Sequence, residues 1–576
     1  MRRVLVGALA ACLTGCGSER AAVSNEPAAI NNEPAVYLGN PRFGIRIGPD
    51  GTGRGLPAFQ MHGGRFGRSI NPASVEIDVE GAEDSVTHSS HLDFLTGVYT
   101  VERRGKALLE VERPRETGGS DASGTYLRIS TVVDSVEPIV AQRFKSNARI
   151  RIASPHADNL HSWETIDQID ANTIERVSGT RFEKPNFRYD DILNRSKAHF
   201  AKLFQTRIII DGPEEDQRAI DSFLFYLYIS GNEMLPPMGL SSAKYGGRRF
   251  WDGEAWMLPV YALIQPDVAR AATEWRAGRV LRRGHIPWEA GPDGEDLTPK
   301  EFRNAIHVAG WVAWWMERAT AFGFIDTKTA GDVAEVAFRQ FEKRAFETPS
   351  GIQFPQVKSP DEGRLHNNDL VTNLLAKGVA QHTGRYEWST RIVVPLAGDK
   401  LLSTYDDDGL NTYQQTAALL ALYPLEWPIG RRIQERMFDR YKDKTSEVGP
   451  AMSDCIHAVI AARLGRPEEA HDLWKRSWVP FVDANTQFRE RRGSQDTYFV
   501  TGAAGCLQSV IYGFLGVRIS KKATRDSSVP MRNGYHLSVR PSLPGAWRSI
   551  TFKNLRIGAG RYTVIATQSG ARIIVN

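Results

Sequence analysis

Within eleven residues, Ser359-Pro360-Asp361-Glu362-Gly363-Arg364-Leu365-His366-Asn367-Asn368-Asp369, the chain gathers three carboxylates, a histidine, two asparagines and a proline. An apolar run with helical spacing follows at once in Leu370, Leu374, Leu375 and Val379. The pattern predicts a polar loop with Glu362 near its tip, feeding a buried helix. Pro360 lacks an N–H and stops any earlier helix, fixing Asp361 in place. Asn367 and Asn368 are expected to cap the helix and to donate to a sugar hydroxyl. A carboxyl group presented from the mouth of a helical scaffold suits general-acid catalysis. A solvated acidic surface loop is the alternative.

Such a loop needs a rigid frame. Amphipathic helical patterns run from Gln217 to Ile229, Ala255 to Leu263, Asn304 to Phe322, Asp332 to Ala345, Asp369 to His382, Asn411 to Leu422, Ala451 to Arg463 and Glu468 to Arg476. About a dozen helices, alternately inner and outer, would close into an α/α toroid. Before them, residues 39–47, 73–79, 125–133 and 148–153 alternate with period two and predict a β-sandwich. A helix around Ile192 to Leu203 and an extended Arg207–Asp211 join the two regions, and short strands return at 534–540, 549–552, 562–566 and 571–575. The expected fold is therefore mixed α and β and multidomain. Its expected parts are a signal peptide (1–16), a tether (17–35), an N-terminal β-sandwich (36–190), a helical linker (191–230), a helical barrel (231–516) and a C-terminal β-domain (517–576).

Eleven of thirteen tryptophans lie between Trp251 and Trp478. A pyranose offers an apolar C–H face that stacks on indole, so aromatic platforms favour sugar clefts. Trp311, Trp314 and Trp315 share one helix and read as core; Trp251 and Trp288 sit beside carboxylates in loop-like settings and read as platforms.

The chain has 576 residues, 41% hydrophobic and 24% charged, with a formal charge of only +5, which is ordinary for a globular protein. No basic and aromatic alternation marks a nucleic-acid surface. Arg2 and Arg3, an apolar Val4–Leu13 and then Leu13-Thr14-Gly15-Cys16 resemble the leader of a bacterial lipoprotein, which implies lipidation at Cys16 and a membrane-anchored protein facing the periplasm or cell exterior. Cys455 and Cys506 lie in apolar helical surroundings and read as free thiols. No spacing of Cys or His marks a metal site, and no cofactor is expected.

Five blocks in order resemble glycoside hydrolase family 65. They are Gly239-Leu240-Ser241-Ser242 with Phe250 to Pro259; Pro287-Trp288-Glu289; Ser359-Pro360-Asp361-Glu362 with Asn368 and Thr372-Asn373; Gly449-Pro450-Ala451-Met452; and Phe499-Val500-Thr501-Gly502 with Gly505 and Leu507-Gln508. The resemblance implies a β-sandwich, an (α/α)6 barrel and a C-terminal β-domain, acting on α-glucosides with inversion. It implies Glu362 as general acid, its pKa raised by burial and by Asp361. Glu490, in Gln487-Phe488-Arg489-Glu490-Arg491-Arg492, falls where hydrolytic relatives carry their base. Inverting hydrolysis needs two carboxyl groups about 6.5–9.5 Å apart. Asp252 matches the residue that grips glucose hydroxyls, with a helix N-cap as its plainer role. Trp251 would pack on the same ring, Trp288 and Glu289 would line the cleft, and Gln414 and Gln415 fall on the family's Lys-Gln pair. Gly363 replaces a Tyr, Gln414 a Lys, and Phe488-Arg489 a Trp-Ser or Trp-Thr.

The resulting expectation is an exported inverting α-glucosidase, best fitted by an α-1,2 linkage as in kojibiose or glucosyl-galactose. A phosphorylase, with the arginines around Glu490 as an anion site, is the alternative. A non-catalytic glycan-binding lipoprotein is the third reading.

Overall fold

The computed structural model describes residues 35–576 apart from 49, 54–55, 63–64, 80–85, 105–125, 147–149, 154–162, 171, 180–185, 398–400, 407, 484–485, 495–497, 522–526 and 532–533. The leader, Cys16 and nearly all of the tether lie outside the described residues.

The N-terminal region is antiparallel. Val36–Asn40, Phe43–Ile47, Pro57–His62 and Arg65–Ile70 form a four-stranded meander, and six strands between Val86 and Gly179 form a larger sheet. Residues 39–47, expected as one strand, instead turn at Pro41: Asn40 pairs with Phe43, and its side-chain oxygen accepts from the N–H groups of Arg42 and Phe43, each at 2.9 Å. Proline cannot donate to a ladder, so the chain reverses there. Alternation along Tyr126–Val133 buries Leu127 and Ile129, which pack with Val75, Phe144, Ile150 and Ile174 between the layers.

After the helix Tyr189–Leu203, the strand Arg207–Asp211 pairs antiparallel with Ser549–Ile557, Arg207 facing Lys553. It is an edge of the C-terminal sheet that Gly560–Thr567 and Gly570–Val575 complete. The expected linker is thus partly a strand of the terminal β-region, because Ile208 and Ile210 bury one face against it.

Between these β-regions the chain is mainly helical. The expected helices form at Glu214–Ser230, Leu258–Ile264, His307–Phe322, Thr327–Glu342, Leu370–His382 and Pro467–Trp478. Further helices run over Pro266–Arg283, Arg431–Tyr441 and Val500–Gln508. Two expectations shorten: Asn411–Leu422 is helical only over Ala417–Leu422, and Ala451–Arg463 only from Asp454. The lost turns carry backbone amides used elsewhere, as the site explains. Trp256, Trp311, Trp315 and Trp474 are fully buried, as the core reading of the Trp311 helix requires. Cys455 and Cys506 are free and buried.

Candidate functional site

The acidic stretch is the connection of a minimal hairpin, Val357–Lys358 against Leu365–His366. Within it Glu362 has φ +58°, a left-handed conformation that a non-glycine residue adopts at a cost. The turn is held from both sides. Glu362 N donates to Ser359 O at 2.9 Å, and Lys358 Nζ donates to the carbonyls of Glu362 and Gly363 at 3.3 and 2.6 Å. Ser359 Oγ donates to Asp369, whose other oxygen takes the N–H of Thr372 at 2.8 Å. Asp369 therefore caps Leu370–His382, not Asn367 or Asn368. Asn368, at φ +52°, instead accepts from Phe354 N and donates to Asp406. With Leu370 as the first helical residue, only Asp369 stands where a side chain reaches the free amides.

Asp361 is buried and accepts the backbone N–H groups of Gln414 and Gln415. This contact draws residues 411–416 out of the expected helix. Burial pushes Asp361 up to about 7, against the lowering effect of those two amides. Glu362 is pushed further, to about 8, first by burial and then by the charges of Asp252 and Glu490, with Arg491 and Lys358 opposing. The neighbours that raise Glu362 are thus Asp252 and Glu490; the expected neighbour, Asp361, is engaged by the Gln414 and Gln415 amides.

Asp252 opens a π-helical turn, Gly253–Met257. It makes no capping hydrogen bond, contrary to its plainer expected role; its Oδ2 accepts from Thr501 Oγ1 at 2.9 Å. Burial raises it to about 6, with the charge of Glu490 adding to the shift.

Glu490 is 3% exposed. Its backbone carbonyl accepts from Ala451 N at 2.8 Å, so the Gly449–Met452 block carries it. Tyr245 Oη donates to Oε1 at 2.9 Å, and Lys244 Nζ stands 2.7 Å from Oε2. Tyr245 has φ +63°, and its phenol is raised by burial and by the charges of Glu490, Glu362 and Asp252. The three carboxylates thus share one electrostatic neighbourhood. The flanking arginines do not form the anticipated anion cluster. Arg489 turns to Ser494 O and Asp483, Arg492 towards Glu447, and Arg491 donates to Val448 O while keeping Nε 3.7 Å from Glu490.

Trp288 lies flat on Phe302 with centroids 4.0 Å apart, and its neighbour Phe250 touches Tyr245. Lys358 Nζ sits 5.4 Å over Phe302, so an aromatic wall runs from the Glu362 hairpin to the Glu490 clamp. Glu289 is buried and paired with Arg248. Trp251 is 2% exposed, stacked on Trp311 and edge-on to Trp256 and His307. That burial makes it a core residue beneath Asp252 more than an open platform. Gln415 is buried with Nε2 3.5 Å from Met452 Sδ, while its Oε1 has no hydrogen-bond partner among the described residues. A Cβ on exposed Gly363 would meet only Asp361 at 3.4 Å, so the missing Tyr leaves open space beside Glu362.

Sequence reasoning missed Lys244, Tyr245 and the role of Thr501. The available signal was Tyr245-Gly246-Gly247, a tight turn. Gly247, at φ +66°, packs so closely on Phe66 of the N-terminal sheet that a Cβ would lie 2.6 Å from it.

Comparison with known proteins adds what the chain is similar to. The model of the glycosyl hydrolase family 65 central catalytic domain matches residues 224–318. The chain is 28% identical over 417 residues to a kojibiose hydrolase of Flavobacterium johnsoniae, covering 65% of this chain and 59% of that protein. It is 27% identical over 364 residues to the mouse protein-glucosylgalactosylhydroxylysine glucosidase, covering 54% of this chain and 52% of that one. The chain therefore spans less than two thirds of the length of these relatives. A solved structure of a human-microbiome protein named for kojibiose phosphorolysis superposes with a TM-score of 0.70 at 14% identity, over 94% of this chain and 92% of that one, which speaks for the fold. The segment around Asp252 thus matches the central catalytic domain of glycoside hydrolase family 65, and the chain is similar to members of that family on both sides of it.

Proposed function

We propose that the chain is an inverting α-glucoside hydrolase in which Glu362 is the general acid and Glu490 the general base. The observation that carries this reading is the coupling of the pair. A strained, proton-holding Glu362 owes part of its raised pKa to Glu490 and Asp252 across the same site. A carboxyl held protonated in the same site as a second carboxyl gripped by an ammonium and a phenol is the arrangement that an acid and a base require. Glu362 gives its proton to the glycosidic oxygen as the bond to the anomeric carbon breaks. Glu490 takes a proton from water attacking the opposite face, and the product retains the inverted configuration. Tyr245 and Lys244 orient Glu490; Asp252, steadied by Thr501, holds glucose hydroxyls through bonds that strengthen as the ring flattens. Trp288 and Glu289 border the cleft, Trp251 supports its floor, and Gln414 and Gln415 line it beside Asp361.

The substrate we propose is an α-1,2-linked glucoside of the kojibiose or glucosyl-galactose type, a reading supported by the kojibiose hydrolases and glucosylgalactosylhydroxylysine glucosidases to which the chain is similar. In this reading residues 231–516 form the (α/α)6 barrel, and the mature protein is exported and anchored through lipid on Cys16. Phosphorolysis is disfavoured because Glu490 is a buried carboxylate, which would repel phosphate, and its flanking arginines diverge.

The test is glucose release from kojibiose, nigerose, maltose and trehalose, each with and without phosphate. Release from kojibiose independent of phosphate is the expected result, lost in Glu362→Gln. Activity only with phosphate would replace hydrolysis by phosphorolysis, and unchanged turnover in Glu362→Gln would remove the acid assignment.

A further inference from the structure

A cavity of about 340 Å³ lies between the helical region and the strand Val517–Ser520. It is remote from the carboxylates. The helix His307–Phe322 begins beside Trp251, and Arg318, which lines the cavity, is eleven residues further on, roughly 16 Å along the axis. Tyr423, Arg463 and Tyr512 reach the cavity from the chain just after or at the ends of helices whose starts lie near Gln415, Met452 and Thr501. The cavity is therefore at the opposite end of the helical region from the site described above.

Its walls combine rings and guanidiniums. Arg318 stacks 4.0 Å over Trp314, and Arg463 4.5 Å over Tyr423. Such stacking holds the planar cations in place, and Arg463 Nε also donates to Tyr512 O at 3.3 Å. Glu426, at φ +57°, answers both, pairing with Arg463 and standing 3.5 Å from Arg318, and Glu317 is the other carboxylate of the lining. Arg518 donates to the carbonyls of Tyr512 and Val517 at 2.9 and 2.8 Å and has no carboxylate within ion-pair distance among the described residues. Lys521 stands at the rim near Tyr535. Arg318, Arg463, Arg518 and Lys521 thus face Glu317 and Glu426 around the cavity, which leaves positive charge in excess; burial and then the like charge of Arg463 push Arg518 down to about 9, with Glu426 opposing.

We infer that this cavity is a binding site for a small ring-bearing organic anion, with a carboxylate or phosphate monoester held by Arg518, Arg463 and Arg318 and the ring's apolar face against Trp314 or Tyr423. A cavity of this size accepts a monosaccharide-sized ligand, and guanidinium forks match both anions. The inference does not depend on the hydrolase reading.

The test is titration calorimetry on the full chain with glucuronate and glucose 6-phosphate as probes and glucose as the neutral control. At least one anionic probe is expected to bind, with affinity at least tenfold weaker in Arg518→Gln and unchanged in Glu490→Gln. Lys521→Ala, an exposed change that spares the fold, is expected to weaken binding about threefold. Absence of binding by both anions, equal affinity in Arg518→Gln and Lys521→Ala, or loss of binding in Glu490→Gln would each overturn the inference.

Discussion

The protonation of Glu362 gives the sharpest kinetic expectation. With its pKa near 8, about 90% of this carboxyl carries its proton at pH 7, against about 0.2% for an ordinary glutamic acid. The site thus raises the acid-competent fraction several-hundred-fold, worth about 4 kcal/mol. The sign is fixed by the raised pKa: the acid proposed here is competent below about pH 8 and fails as pH rises through that value. Lys358 works in the opposite sense, since its ammonium favours the carboxylate. Any unit charge on the order of 7 Å from another, through an effective dielectric between 20 and 80, is worth about 0.6–2.4 kcal/mol. Lys358→Met should therefore move the alkaline limb of kcat/KM up by about half to one and three-quarter pH units, while Lys358→Arg leaves it nearly in place. The assay is glucose release from kojibiose between pH 5 and 10. A limb that stays put or moves down in Lys358→Met would refute the electrostatic reasoning, as would a wild-type limb near pH 5.

Three further outcomes follow from the same geometry. Glu490→Gln should lower kcat by at least a thousandfold, and azide should partly restore turnover by replacing the water that the base activates; full activity without azide would exclude Glu490 as base. Tyr245→Phe removes the 2.9 Å bond to Glu490 and should cut kcat about tenfold with KM little changed; an effect confined to KM would mean that Tyr245 binds substrate instead. Trp311→Ala empties the layer beneath Trp251 and should cost about 3–5 kcal/mol in urea unfolding; a loss below about 1 kcal/mol would mean that the layer is not packed as described.

What the sequence made legible was local. The spacing of Leu370, Leu374, Leu375 and Val379 marks a real helix, and the acids and proline before it mark a real turn. The alternation near 126–133 marks a real strand because one face is buried. What it concealed depends on partners far along the chain. Arg207–Asp211 finds its sheet more than three hundred residues later, and Gln414 and Gln415 leave a helical pattern because Asp361 takes their amides. Asp369 rather than Asn368 caps the helix because a shift of one residue decides which side chain faces the free amides. The pairing of Glu490 with Lys244 and Tyr245 is likewise a product of tertiary approach. Trp251 illustrates the limit of residue type: a tryptophan beside an aspartate reads as a platform, and in the fold Trp256, Trp311 and His307 cover it.

The central claim, an acid and a base acting from opposite faces of an α-glucoside, is tested most directly by following the anomer released. Proton NMR of kojibiose hydrolysis in its first minutes, before mutarotation, should show β-glucose from the non-reducing unit accumulating without added phosphate. Initial release of α-glucose would contradict the account, because Glu362 and Glu490 would then not be working as an inverting pair.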